Sequence, residues 1–172
     1  MVDHLVLMDA AGMVTTYNEL TDFGFKLAAN NYTKKITYKV LPKSLVATSL
    51  KNAVYNSEVI SKRKVEQYVE LLLRQGNREA FSHILRNLIL SGKDHIQIIK
   101  TIKHPTLIMW GEEDNIINVN DAFLFKRAIP HAELIIYPKI GHLPMEENPK
   151  ESATHIKPVS YTHLRAHETT SH

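Results

Sequence analysis

Two hydrophobic patterns alternate along the chain. Three short apolar runs are nearly continuous: "HLVLMDAAG" (4–12), "TLIMWG" (106–111) and "AELIIYP" (132–138). Runs of this length, closed by small residues, Gly or Pro, fit strands buried on both faces, as in a parallel sheet. Between the second and third, "VNDAFLFKRAIP" sets Ala122, Phe123, Phe125, Lys126 and Ile129 at helical spacing, with Asn120 as N-cap and Pro130 closing the element. Strand, helix, strand and then a Pro-rich turn into a helix from about Met145 is the order of a doubly wound α/β sheet.

Residues 13–92 follow a helical period instead. "NELTDFGFKLAANN", "LPKSLVATSLKNAVY", "SKRKVEQYVELLLRQG" and "NREAFSHILRNLIL" each predict a helix. In the third, Val65, Tyr68, Val69, Leu72 and Leu73 recur at i, i+3, i+4 and i+7, with Ser61 as cap and Gly76 as stop. The expected organisation is a core strand in 1–12, a helical insertion in 13–92 and the rest of the core in 93–157. "KDHIQIIKTIKHP" (93–105) leads back into the sheet.

Composition changes this picture little. With 172 residues there is enough chain for one domain with a core, and 44% hydrophobic and 23% charged residues are ordinary for a soluble globular protein. A net charge of +3 spread along the chain does not suggest nucleic acid as a partner. The absence of cysteine excludes disulfides and thiolate metal sites, and no apolar run approaches the ~18 residues of a membrane span. "MVDHLVLMDA" lacks the basic lead of a signal peptide and reads as a core strand starting at once, which points to a fragment of a longer protein.

The last fifteen residues stand apart. "PVSYTHLRAHETTSH" has neither period, and Val159–Thr169 resembles, residue for residue, the in-frame translation of a transposon-library sequencing adapter. His163 and His167, at a spacing that could hold a metal on a helix, fall inside it. Residues 158–172 are therefore set aside as a non-native tail.

Loops after the carboxyl ends of parallel strands carry the chemistry of such sheets. Asp114 follows "LIMWG", and His142 follows "LIIYPKIG". A carboxylate bonded to one imidazole nitrogen fixes the tautomer and makes the other nitrogen a general base, which is useful beside a nucleophile. Glu112, Glu113 and Asp121 rival Asp114, while His104 and His131, next to prolines, read as surface turn residues.

The segment "HPTLIMWGEEDNIINVNDAFLFKRAIPHAELIIYPKIGHLPMEENPKE" resembles the C-terminal end of α/β-hydrolases, which carry P-T-L-x-x-W/x-G-x-x-D and, about thirty residues on, G-H. "LVLMDAAG" resembles the strand after the nucleophile-bearing helix, so the likeness extends over about 2–157 and puts the helical block in the place of the cap domain. "RQGNREAF" is closest to esterase and lipase-like members, with C–C-bond hydrolases next.

The resemblance implies Asp114 as triad acid, His142 as triad base and Glu147 in a structural role at the start of the last helix. Trp110 is expected to pack the sheet. It also implies a serine hydrolase acting on small hydrophobic esters or related acyl substrates, with no metal or organic cofactor. The family order is nucleophile, acid, histidine, yet no G-x-S-x-G occurs. Ser57, Ser61 and Ser91 read as caps or turns, and Ser82 adjoins His83 on a helix where the two diverge. The nucleophile and oxyanion hole are expected upstream of Met1, leaving the chain as written inactive. Alternatives are a C–C bond hydrolase, a haloalkane dehalogenase or epoxide hydrolase with an Asp nucleophile, and a non-catalytic ligand-binding member.

Overall fold

A computed structural model describes residues 2–13, 42–77, 79–81, 83–84 and 95–157. The helix expected in "NELTDFGFKLAANN", the residues Ser82 and Ser91, and the tail 158–172 lie outside the described residues.

The three apolar runs form strands β1 (Leu5–Met8), β2 (Thr106–Gly111) and β3 (Glu133–Tyr137). They make one parallel sheet in the order β1-β2-β3, with Leu7 opposite Ile108 and Ile108 opposite Leu134. All of β2 is buried, because it is central and covered on both faces. Its alternate residues serve different cores. Ile108 and Trp110 join Phe125, Ala122 and Ile129 on one face, and Leu107 and Met109 join Tyr137 on the other. The outer strands are only partly buried, since each has a neighbour on one side alone among the described residues.

Among the described residues the helices are α1 (Lys43–Ala53), α2 (Lys62–Leu73), α3 (Ile96–Ile99), α4 (Asn120–Ala128) and α5 (Pro144–Glu147); a 3-10 turn covers Ser57–Val59, and 77, 79–81, 83–84 and 149–157 are also helical. Helix α4 packs one face of the sheet through Ala122 and Phe125, and Ile156 packs the other. Helices α1 and α2 pack on each other through Val46, Leu50 and Val69, a second core that Leu143 also touches.

Local details correct the sequence reading in three places. Asn120 is the first residue of α4 and not its cap; Val119 holds the cap position, and the Asn118 side chain accepts from the Asn120 N–H at 3.0 Å. Gly76 does not end α2. The helix stops at Leu73, where Arg74 turns extended and the Asn77 side chain donates to the Leu71 carbonyl at 2.8 Å. Leu73 is half exposed and lies off the buried stripe of α2. The Ser61 cap is as expected, accepting from the Lys64 N–H at 3.2 Å.

Candidate active site

The parallel order puts the loops after all three strands on one edge of the sheet. Two glycines then bring the second and third loops together. A Cβ on Gly111 would sit 2.0 Å from the Gly141 carbonyl oxygen, so only a residue without a side chain permits this approach. Backbone bonds reinforce the contact: the Glu112 N–H donates to the Tyr137 carbonyl at 3.0 Å, and the Glu113 N–H to the Ile140 carbonyl at 2.9 Å.

The contact brings Asp114 and His142 into register. His142 Nδ1 lies 2.8 Å from Asp114 Oδ2. The Asp114 side chain is wholly buried, whereas that of His142 is 23% exposed. Asp114 Oδ1 accepts from the Ile116 and Ile117 N–H groups at 2.8 and 3.0 Å. A carboxylate fixed by two backbone donors accepts only, so His142 must donate from Nδ1, leaving Nε2 free to take a proton.

The rivals separate by placement. Glu112 and Glu113 are exposed, and Asp121 is buried in α4. His104 and His131 are exposed and bond to one another, His131 Nε2 lying 3.0 Å from the His104 carbonyl. Trp110 is fully buried; its Nε1 donates to the Ile117 carbonyl at 3.1 Å and its ring stands 6.0 Å from that of Phe125. It thus braces the loop that carries Asp114.

Two more residues belong to the site. Asp9, directly after β1, is buried with a left-handed backbone (φ 43°). Its Oδ1 accepts from the Gly111 N–H at 2.9 Å. A carboxylate oxygen of Asp9, one of Asp114 and a ring nitrogen of His142 lie within 4.8 Å of one another. Burial pushes the Asp9 carboxyl from its ordinary 3.8 up to about 8; the Gly111 N–H opposes this, while the neighbouring Asp114 carboxylate and the Glu147 charge add to it. The signal for Asp9 was available in "LMDAAG", an acid at a strand's carboxyl end, by the same rule that selected Asp114.

Glu147 is the other. Its position in the first turn of α5 agrees with expectation, but its carboxylate does not serve that short helix. Oε1 accepts from the Gly141 N–H at 2.7 Å, and Oε2 from the Tyr55 and Asn56 N–H groups at 2.9 and 3.0 Å. The His142 N–H itself donates to the Ala53 carbonyl at 2.7 Å. The histidine loop is therefore bonded to the end of α1. Lys64 and Tyr68 on α2 reach Glu146, at 2.5 and 3.2 Å, extending the junction. Beyond it, Tyr68, Leu71, Leu72, Asn77, Ala80, Phe81 and Ile84 line an open, mainly apolar groove of about 310 Å³.

A family model described as the alpha/beta hydrolase fold matches residues 8–149. The chain belongs to this family. Among curated relatives, Lipase 1 of Psychrobacter immobilis is 35% identical over 82 residues, covering 47% of this chain and 26% of that protein. A 2-hydroxy-6-oxo-2,4-heptadienoate hydrolase of Pseudomonas putida is 26% identical over 157 residues, covering 86% and 51%. Among solved structures, the meta-cleavage product hydrolase of Pseudomonas fluorescens IP01 superposes with a TM-score of 0.64 at 21% identity, covering 90% of this chain and 54% of that one. A thermophilic esterase from Thermogutta terrifontis gives 0.60 at 19% identity, covering 90% and 54%. The alpha/beta hydrolase chain spans between 26% and 51% of the length of the curated relatives it matches.

Proposed function

We propose that Asp114 and His142 are the acid and base of a serine hydrolase acting on carboxylic esters or related acyl substrates. The observation that carries this is the 2.8 Å bond between His142 Nδ1 and a buried Asp114 carboxylate. Asp114 holds the ring in the Nδ1–H tautomer and stabilises the imidazolium. His142 Nε2 removes the proton from a nucleophile hydroxyl, then returns it to the leaving group. The segment 13–92, which the sequence reads as helical, acts as a cap, and the groove beside Tyr68 and Phe81 suits an apolar acyl chain. The likeness to lipases supports the ester reading.

In this reading the nucleophile elbow and its oxyanion donors lie outside these 172 residues, which contain no G-x-S-x-G. The chain alone then leaves short-chain nitrophenyl esters intact, and a longer product of the same gene that includes the elbow hydrolyses them. In that longer protein, His142→Ala lowers kcat/KM by about 10³-fold or more. Near-normal turnover by that variant, or hydrolysis by the 172-residue chain, refutes the assignment.

A second reading is favoured by the extent of one match. The likeness to the 2-hydroxy-6-oxo-2,4-heptadienoate hydrolase runs over 86% of this chain, against 47% for the lipase. Turnover of a 2-hydroxy-6-oxo-dienoate in preference to the ester would select C–C bond hydrolysis on the same acid–base pair.

A further inference from the structure

Of the polar side-chain atoms buried among the described residues, Asp9 Oδ2 is the one without a hydrogen-bond partner. Such an orphan at the heart of a site demands a physical account, because an unsatisfied buried polar atom costs about 1–3 kcal/mol. Its surroundings supply one. Asp114 from the loop after β2 and His142 from the loop after β3 lie beside Asp9, and Glu147 from α5 and Tyr137 at the end of β3 are near enough to act on its charge. Asp114 and Glu147 are acids, the Tyr137 hydroxyl is paired with His155 Nδ1 at 2.8 Å, and His142 gives its Nδ1 to Asp114.

Among the described residues, then, no donor reaches Oδ2. Two carboxylates can bond only if one of them carries a proton. Asp114 is the poorer candidate to carry it, since it already accepts from two backbone N–H groups and an imidazole. Asp9 accepts a single bond, from Gly111, and is the one displaced toward its neutral form.

We propose that Asp9 is a positioning residue for the Asp114–His142 pair: it carries a proton on Oδ2 and donates it in a hydrogen bond to the Asp114 carboxylate. Asp114 then has four donors for its four acceptor sites: Ile116, Ile117, His142 and Asp9. That set fixes the carboxylate on His142. Asp9 holds a left-handed backbone that Asp is one of the few residues to tolerate, and its Oδ1 accepts from Gly111 at the end of β2. Loss of the Asp9 proton sets two anions side by side and weakens the hold on His142.

This deepens the acid–base reading of the site and rests on it, but the test needs no turnover. In the 172-residue chain, the ring nitrogens of His142 are followed by ¹⁵N NMR from pH 5 to 9.5, with exchange of the Nδ1 proton measured at pH 6. Asp9→Asn retains a donor facing Asp114 and cannot ionise. Asp9→Gly removes the donor and keeps the backbone unstrained.

The wild type should show an inflection in the His142 shifts near pH 8 that comes from Asp9 ionising. Asp9→Asn should lack that inflection and keep the slow-exchanging Nδ1 proton, and Asp9→Gly should exchange it at least tenfold faster. Absence of the inflection from the wild type, its persistence in Asp9→Asn, or unchanged exchange in Asp9→Gly overturns the proposal. Should Asp9→Gly not fold, the Asp9→Asn comparison decides alone. Failure here leaves the His142→Ala test of the hydrolase reading intact.

Discussion

Asp9→Asn should stabilise the fold at neutral pH, and by an amount that grows with pH. In the native protein burial holds the Asp9 carboxyl near 8, against an ordinary 3.8. Between those values the folded chain keeps a proton that the unfolded chain has lost. The unfolded state thus binds fewer protons, and stability falls as pH rises, by up to ~1.4 kcal/mol per unit. The whole penalty is absent below about pH 4 and complete above about pH 8. Integrated over that window it approaches about 5 kcal/mol, a large share of the ~5–15 kcal/mol that holds a typical domain together.

Asparagine has nearly the same shape, tolerates the left-handed backbone and does not titrate. Its amide oxygen can still accept from the Gly111 N–H that Asp9 Oδ1 now occupies. Any fixed difference in packing between the two side chains shifts the variant's curve equally at every pH. The slope of the difference is therefore the clean observable. Urea unfolding of both proteins at pH 5, 6 and 7 should show the variant gaining roughly 2–3 kcal/mol on the wild type across that range. Parallel stability curves would refute the reasoning, because they would mean that Asp9 ionises alike in the folded and unfolded chains.

Other perturbations read the scaffold around the pair. Glu147→Gln removes the charge that three backbone N–H groups share, and should cost about 2 kcal/mol in urea unfolding, with faster hydrogen exchange at Gly141, Tyr55 and Asn56; unchanged exchange there would discount the clamp. Gly111→Ala forces a Cβ against the Gly141 carbonyl and should cost about 2–3 kcal/mol, seen as a lowered thermal midpoint together with loss of the slow-exchanging His142 Nδ1 proton. A neutral effect would show that the two loops can separate without harm.

The sheet was legible because its signal is local. β2 matches the apolar run "TLIMWG" residue for residue, and the flanking strands trim their runs only at the ends. Helix limits were less so, since they depend on which side chain happens to satisfy an end. Asn77 reaching back to Leu71 ends α2 before Gly76 does, and Val119, which has no capping side chain, precedes α4. Asp114 and His142 were legible because a strand end is visible in sequence. The same rule points to Asp9, but "LMDAAG" also reads as a turn of small residues, and the turn signal hid the acid. Nothing in sequence shows that Glu147 binds N–H groups at Tyr55 and Asn56, which lie more than ninety residues away.

That last contact changes how the helical segment relates to the chemistry. The end of α1 is bonded to the histidine loop twice, once by the Ala53 carbonyl accepting from the His142 N–H and once through Glu147. Gly141 is pressed against the same stretch, where a Cβ would lie 2.6 Å from the Ala53 oxygen. Residues 53–56 are therefore tied to His142, and displacement at this end would pull His142 away from Asp114. Farther along, beyond Val69, Leu71, Leu73, Phe81 and Ile84 are exposed among the described residues. The residues at the end of α1 are thus tied to the loop of His142, and the apolar groove lies away from that junction.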